Sequence, residues 1–283
     1  MTYTPHCMKI KKTVVILLTF FHTIGIHNPA NSTIYFPNTQ KLPAISSKTE
    51  LFENHIQSLY NEIGLAGTVN ENAFRFAIIG YYNMMSTGSL KNDSMLTIID
   101  YEKPSNEKRL YVINLKTNTL EFHSLVAHGT NSGNVNATQF SNRSGSKQSS
   151  IGFFVTGHTY AGKHDFSLKL IGLDDKYNSN ALRRGVVFHA ANYVSEDYIA
   201  RNGRLGRSFG CPALPTKMNK EVINIIKGGS CVFVYFPDED YLNYSCYLNL
   251  SIASGYCFND RDFTTFKKVK PVTPKLTGTA FLR

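Results

Sequence analysis

Charged side chains are scarce in this sequence, since Asp, Glu, Lys and Arg together make up 18% of its 283 residues. So low a fraction, beside an apolar fraction of 42%, argues against coiled coils, acidic disordered segments and collagen-like repeats. Motifs typical of nucleic-acid binding are missing too, because there is no zinc-finger spacing, RNP-like motif or P-loop. We therefore expect a globular protein with a sizeable core and no nucleic-acid partner.

The formal net charge of +10 is concentrated at the two ends of the chain. Residues 1–32 contribute +3 and residues 260–283 contribute +4, which leaves about +3 for the remainder. This distribution does not describe a uniformly basic binding surface. The basic tail predicts only a weak, salt-sensitive attraction to anionic envelope polymers.

Long apolar runs are absent except at the N-terminus. Residues 9–12 hold three lysines, and the apolar stretch 13–26 that follows has the length of a signal peptide but is short for a membrane span. Small residues suited to cleavage follow at 30–32. We predict that residues 1–32 are a signal peptide for export to the periplasm or cell envelope, with an uncleaved membrane anchor as the alternative.

Cysteine is also rare, with five in the chain, of which Cys7 lies in the predicted signal peptide. Export permits disulfides among the others. Cys246 and Cys257 flank a short segment and are favoured as a pair, whereas Cys231 lies in a strand-like run typical of a buried thiol. Cys211 differs from these, because it lies in a glycine-rich loop with no apolar periodicity to bury it.

Hydrophobic periodicity predicts two helices followed by a series of strands. A capping box at Ser47 begins a helix that Gly64 ends, and a second helix runs from Phe74 to near Gly88. The predicted strands are residues 95–100, 109–115, 120–127, 151–156, 166–173, 185–189 and 231–236. This pattern indicates a mainly β fold with a short helical N-terminal lead-in, and loops long enough to build a site.

Cys211 and His189 are the candidate catalytic pair, because thiol catalysis needs a nucleophilic sulfur and a base. His189 closes a strand-like run, which is expected to expose its imidazole, and lies 22 residues before Cys211. Gly210 allows a tight turn before the thiol, so nearby main-chain amides can face a developing oxyanion. A structural thiol unrelated to His189 is the alternative.

Several separated blocks of the sequence resemble the murein L,D-transpeptidase catalytic domains of the YkuD type, in the branch with a Ser-Trp-Gly-Cys-Pro-like active-site loop. Two blocks, residues 187–193 and 203–214, contain His189 and the Ser208-Phe-Gly-Cys211-Pro stretch. Further blocks are residues 109–114, 126–133, 140–142, 150–155 and 168–173. The resemblance covers roughly residues 49–237.

The resemblance implies an L,D-transpeptidase-like β-sandwich or barrel that acts on peptidoglycan stem peptides. Cys211 would be the nucleophile of an acyl-enzyme mechanism, with His189 as base, release of D-alanine and transfer to an amine. Gly210 and the Cys211 amide correspond to the oxyanion-hole region, and Ser208 to the motif serine. The family's second motif histidine is missing here, and Ala190 follows the base where glycine or serine is common, so the group that orients His189 is unidentified.

Composition, periodicity and the resemblance together divide the chain into segments. They are residues 1–32 as signal peptide, 33–94 as linker and helical lead-in, 95–237 as L,D-transpeptidase-like catalytic domain and 238–283 as a C-terminal basic extension.

The sequence gives weaker support for the roles of the other candidate residues. Arg204 and Arg207 are candidates for binding stem-peptide carboxylates, and Tyr193 for lining the cleft. His128 is expected to support packing or a loop hydrogen bond, and the arginines at 183–184 to be solvated. No cluster of Asp, Glu and His has metal-ligand spacing, so we predict neither a metal nor a cofactor.

Four functions stay open at this point. An L,D-transpeptidase and an L,D-carboxypeptidase share the same acyl-enzyme and differ only in the acceptor, which is an amine or water. A non-catalytic cell-wall-binding module has no need of Cys211 and His189. A papain-like or caspase-like protease is disfavoured, because no histidine follows Cys211 and the Gln-Ala-Cys signature is absent.

Overall fold

The protein, for which we use a computed structural model, is described over residues 47–162 and 165–258. Its helices are α1 (Lys48–Glu62), α2 (Glu71–Ser86), α3 (Glu196–Asn202), α4 (Asn219–Ile226), α5 (Glu239–Tyr244) and α6 (Leu250–Cys257), with a 3₁₀ turn at Cys246–Leu248. Its strands are β1 (Met95–Asp100), β2 (Leu110–Asn114), β3 (Thr119–Ser124), β4 (Gly152–Gly162), β5 (Asp165–Gly172), β6 (Val187–Ala190), β7 (Ala213–Leu214) and β8 (Cys231–Tyr235).

The first two helices begin as the sequence predicts. The Ser47 hydroxyl accepts a hydrogen bond from the Glu50 N–H, and the Asn70 side chain accepts one from the Ala73 N–H. These caps satisfy N–H groups that a helix leaves unpaired in its first turn. None of the described helices is long and apolar enough to cross a bilayer. The predicted signal peptide, the start of the linker and the tail from residue 259 lie outside the described residues.

The eight strands form one mixed sheet in the order β3-β2-β1-β8-β4-β5-β6-β7. The pairs β1–β8 and β6–β7 are parallel, and the other neighbours are antiparallel. The two ends of this order meet, because Ala127, just after β3, bridges Ala213 in β7 through main-chain hydrogen bonds of 3.0 and 3.4 Å. The sheet therefore curls into a near-barrel, and the predicted mainly β class is confirmed.

Helix α2 packs closely on this sheet. A Cβ added to Gly80 would lie 1.9 Å from the Phe153 ring, so only glycine lets the helix come this near. Phe153 in turn stacks on Phe233 of the neighbouring strand, with ring centroids 4.3 Å apart. The helical lead-in and the sheet thus share one hydrophobic core rather than forming separate layers.

Residues 239–258, at the start of the predicted C-terminal extension, contribute side chains to this core. The Asn83 amide in α2 donates to the carbonyls of Tyr247 and Asn249 at 2.9 and 3.0 Å. Phe258 packs edge-on against Phe52 of α1, with ring centroids 6.5 Å apart. The segment lacks a readable periodicity because it is divided among three elements of three to eight residues each.

Some short elements differ from the sequence prediction. Helices α3 and α4 and the two-residue strand β7 were not predicted, because each is too short for its periodicity to be recognised. Cys246 is exposed and Cys257 is partly exposed, and the disulfide between them stays a prediction. Cys231 is buried, as expected for a thiol in a central strand.

Asp100, at the end of β1, gives the fold a pH dependence. It is buried, its Oδ1 accepts from the Glu102 N–H at 3.0 Å, and its Oδ2 has no hydrogen-bond partner in the described structure. Burial raises the pKa of Asp100 to about 6. Because this exceeds the unfolded value of about 4, the folded state holds more protons between pH 4 and 6. The free energy of unfolding therefore falls as pH rises through that window.

Between pH 4 and 6 we expect the free energy of unfolding to fall by about 2–3 kcal/mol less in Asp100→Asn than in wild type. Asparagine keeps the acceptor oxygen but does not titrate. Urea unfolding at pH 4, 5, 6 and 7 measures the effect. Buried Asp174, whose pKa burial also raises to about 6, should leave a residual slope. Asp197→Asn, on the exposed side of α3, is the matched control. Equal slopes in wild type and Asp100→Asn would place the titration elsewhere.

Candidate active site

The pairing of β6 with β7 brings the predicted base, in β6, close to the predicted nucleophile, which lies just before β7. His189 in β6 pairs with Ala213 in β7, in parallel orientation. Cys211 lies two residues before Ala213, which is about 7 Å of chain at the rise of a strand. The thiol therefore lies beside the start of β6, two positions before His189, although 22 residues separate the two in sequence.

The Cys211 thiol contacts main-chain groups at this end of β6. Its Sγ donates to the Gly185 carbonyl at 3.6 Å, and the Val187 N–H hydrogen-bonds to the sulfur. Burial raises the pKa of Cys211, while the Val187 hydrogen bond and the Arg184 guanidinium oppose that rise. Because burial is the larger effect, the thiol needs a base before it can act as a nucleophile.

His189 is oriented by a main-chain carbonyl. Its Nδ1 lies 2.9 Å from the Ala190 carbonyl oxygen. A carbonyl only accepts hydrogen bonds, so Nδ1 carries the proton and Nε2 of the neutral ring keeps the lone pair of a base. The orienting group that the sequence leaves unidentified is therefore the Ala190 carbonyl. The expectation that a strand end exposes the imidazole is wrong, since His189 is 4% exposed.

Ser208 closes the turn that carries the nucleophile. Its hydroxyl donates to the Cys211 carbonyl at 2.6 Å and accepts from the Gly210 N–H at 3.0 Å. The Gly210 N–H is thus bonded within the loop, and its place in the oxyanion-hole region stays a prediction. The Cys211 amide stays the predicted donor.

Gly210 has a different, steric role. Its φ of +120° is unfavourable for residues with a side chain, and an added Cβ would lie 2.7 Å from the Gln148 carbonyl oxygen. Gly129 packs against it, since a Cβ there would lie 2.9 Å from the Gly210 Cα. Two glycines in contact therefore let the cysteine loop lie directly on the 129–150 loop.

His128 supports the contact between these two loops, and its imidazole is neutral at pH 7. Arg109, which is buried, donates to the His128 Nδ1 at 2.8 Å, and the His128 carbonyl accepts from the Ser208 N–H at 3.0 Å. Burial, together with the Arg109 charge, lowers the pKa of His128 to about 3. This is the loop-supporting role expected from the sequence, and it excludes His128 as a general base.

The two loop arginines bind protein carbonyls. Arg204 donates to the Leu205 carbonyl at 2.7 Å, and Arg207 donates to the Gly133 carbonyl at 2.9 Å. These bonds hold the cysteine loop in place, and the binding of substrate carboxylates by the two arginines stays a prediction. Tyr193 does lie near the thiol: burial raises its pKa to about 12, and the neighbouring Cys211 adds to the rise.

Comparison with known proteins identifies this arrangement. A family model described as the L,D-transpeptidase catalytic domain matches residues 65–235. The chain belongs to this family. The match includes both His189 and Cys211, and it begins within the segment that the sequence predicted as a lead-in. A search of curated proteins found no match.

Solved L,D-transpeptidases are similar to this chain at low sequence identity. An L,D-transpeptidase from Mycobacterium smegmatis is 11% identical, covering 50% of this chain and 59% of its own, with a TM-score of 0.33. L,D-transpeptidase 3 from Mycobacterium tuberculosis is 10% identical, with coverages of 50% and 61% and a TM-score of 0.33. An L,D-transpeptidase from Xylanimonas cellulosilytica is 12% identical, with coverages of 50% and 60% and a TM-score of 0.32. The chain thus spans about three fifths of these proteins.

In this L,D-transpeptidase domain the thiol opens into a pocket of about 270 Å³. The pocket is lined by Gly145, Lys147, Arg184, Val186, Phe209 and Cys211. Arg184, which the sequence placed on a solvated face, is half-buried here and stabilises the thiolate form of Cys211. The neighbouring Arg183 is exposed, and the sequence alone does not distinguish the two arginines. The described residues hold no group of three or more His, Cys, Asp or Glu arranged for a metal.

Proposed function

We propose that this protein is a peptidoglycan L,D-transpeptidase that works through a Cys211 acyl-enzyme. The observation that carries the proposal is the His189 ring, whose Nδ1 is held by the Ala190 carbonyl on the strand beside the cysteine loop. That arrangement leaves Nε2 as the base that a buried thiol requires. The family membership supports stem peptides as the substrate class, and the predicted signal peptide agrees with a substrate outside the cytoplasm.

In the first half-reaction His189 Nε2 takes the thiol proton, and the sulfur attacks the carbonyl carbon of the third residue of a stem tetrapeptide. The Cys211 main-chain N–H stabilises the oxyanion that forms. The amide bond to the terminal D-alanine then breaks. Its nitrogen takes the proton from His189, D-alanine leaves, and a thioester to Cys211 remains.

In the second half-reaction an amine of a neighbouring stem attacks the thioester. His189 Nε2 accepts a proton from that amine, the new amide forms, and the Cys211 thiolate leaves and regains a proton. Water in place of the amine gives the tripeptide, which is the L,D-carboxypeptidase outcome. The long polar loop at 129–150 is a candidate for the acceptor groove, since it packs on the cysteine loop.

Purified tetrapeptide muropeptides with and without an added D-amino acid test this proposal, with mass spectrometry as the readout. We expect cross-linked dimers, and termini exchanged for the added amino acid, together with an intact-mass adduct on Cys211. Tripeptide alone at every acceptor concentration assigns the protein as an L,D-carboxypeptidase. Absence of both an adduct and any product assigns it to the non-catalytic wall-binding class.

A further inference from the structure

The pocket at Cys211 has an uneven charge. Among its six lining residues two are basic, Lys147 and Arg184, and none is acidic. A small pocket lined in this way favours an anionic group beside the sulfur. The stem peptide offers one there, because the leaving residue ends in a free carboxylate.

Arg184 is committed to the protein. Its Nη1 donates to the Ser141 carbonyl and the Ser150 hydroxyl at 2.5 Å each, and its Nη2 donates to the Gln148 carbonyl at 2.6 Å and the Ser146 hydroxyl at 3.2 Å. Both terminal nitrogens therefore hold the 141–150 loop in place. The arginine contributes charge to the pocket but is poorly placed to reorient toward a ligand.

Lys147 differs in that its backbone is fixed and its ammonium is not buried. Its φ of +56° lies in the left-handed region, which is uncommon for a lysine, and its carbonyl accepts from the Asn131 N–H at 3.2 Å. The Nζ lies 4.9 Å from the centre of the Phe209 ring, which is 75% exposed. The lysine and the aromatic ring together form the exposed rim of the pocket.

We propose that Lys147 binds the terminal carboxylate of the donor peptide and that Phe209 holds the lysine over the pocket. This inference rests on the proposed function. The carboxyl carbon of the leaving residue lies about 3–4 Å from the carbon that the sulfur attacks, so both fit within one small pocket. A donor extended by another residue has an amide at that position. Lys147 therefore selects donors whose leaving residue is the last of the chain.

The first test measures charge at the thiol without any peptide. Cys211 is alkylated with iodoacetate, which is anionic, and with iodoacetamide, which is neutral, and site-resolved mass spectrometry gives both rate constants. Lys147→Met should lower the iodoacetate-to-iodoacetamide ratio by about 3–10-fold, as expected for loss of one nearby charge. Lys169→Met is the matched control, because Lys169 also lies over an aromatic ring, that of Tyr160, outside this pocket. Equal ratios in wild type and Lys147→Met overturn the inference.

The second test compares a tetrapeptide donor with its C-terminal amide. In wild type the free acid should have the lower KM, and Lys147→Met should raise that KM about 10-fold while leaving kcat and the KM of the amide nearly unchanged. Phe209→Leu should give a smaller change in the same direction. If the ratio of the two KM values, amide to free acid, is the same in Lys147→Met as in wild type, the inference is overturned while the proposed function stands. Altered alkylation with no peptide consumed instead overturns the proposed function, and the donor assignment with it.

Discussion

Cys211→Ala is expected to abolish turnover of tetrapeptide donors, by at least about 10³-fold, while the protein stays folded. Covalent catalysis has no substitute when the sulfur is removed, and Ser208, the nearest hydroxyl in the loop, is occupied by bonds to Cys211 and Gly210. The thiol donates one weak hydrogen bond, at 3.6 Å, and accepts one from the Val187 N–H. Losing both should lower the free energy of unfolding by about 1–3 kcal/mol, which leaves the protein folded.

Product formation and urea unfolding of the same preparations measure both parts of this expectation. Cys246→Ala is the matched control, since Cys246 is an exposed cysteine in the 3₁₀ turn, and it should retain full turnover. An intact-mass adduct should be present in wild type and in Cys246→Ala and absent from Cys211→Ala. Near-normal cross-linking by Cys211→Ala would show that the thiol is not the nucleophile, although the domain belongs to the family.

The strands and first helices were predictable because their residues follow simple patterns. Strands β1, β2 and β8 are short apolar runs buried along most of their length, and both helices start at side chains that cap them. The two-residue strand β7 has no such signal. It exists because Ala213 pairs with His189 of β6 on one side and with Ala127, more than eighty residues earlier in the chain, on the other.

The site was predictable to the extent that it depends on reactive side chains. Cys211 and His189 are distinctive in sequence, and the pairing of β6 with β7 places the loop that carries Cys211 beside the strand that carries His189. The Ala190 carbonyl is not distinctive, because every residue has one, and only the folded backbone shows which carbonyl faces the imidazole. A main-chain partner of this kind is found from the structure alone.

The hydrogen-bond partners of three arginines were not predictable from the sequence. Arg184 and Arg207 donate to carbonyls of other loops, and Arg204 donates to the carbonyl of the next residue. The sequence shows their charge but not which main-chain carbonyls lie near them. An arginine in solvent and an arginine bonded to a loop therefore cannot be told apart from the sequence. The bond of the Gly210 N–H was not predicted either, because its partner is the Ser208 hydroxyl two residues before it in the same turn.

His189→Gln is expected to slow acylation by about 10²–10⁴-fold with little change in donor binding. Glutamine retains a polar side chain near the Ala190 carbonyl but cannot accept the thiol proton. Burial raises the pKa of Cys211, so without a base the sulfur ionises only at high pH. In wild type we expect the proton to pass to Nε2, so that the thiol reacts near neutral pH.

The rate of Cys211 alkylation by iodoacetamide against pH separates these states. Wild type should react at pH 7, whereas His189→Gln should react appreciably only above the ordinary range of a thiol, with its midpoint moved to higher pH. His158→Gln, an exposed histidine in β4, should reproduce the wild-type profile. Because alkylation needs no peptide, the result is independent of substrate binding. Superimposable profiles for wild type and His189→Gln would mean that the imidazole neither takes the proton nor pairs with the thiolate.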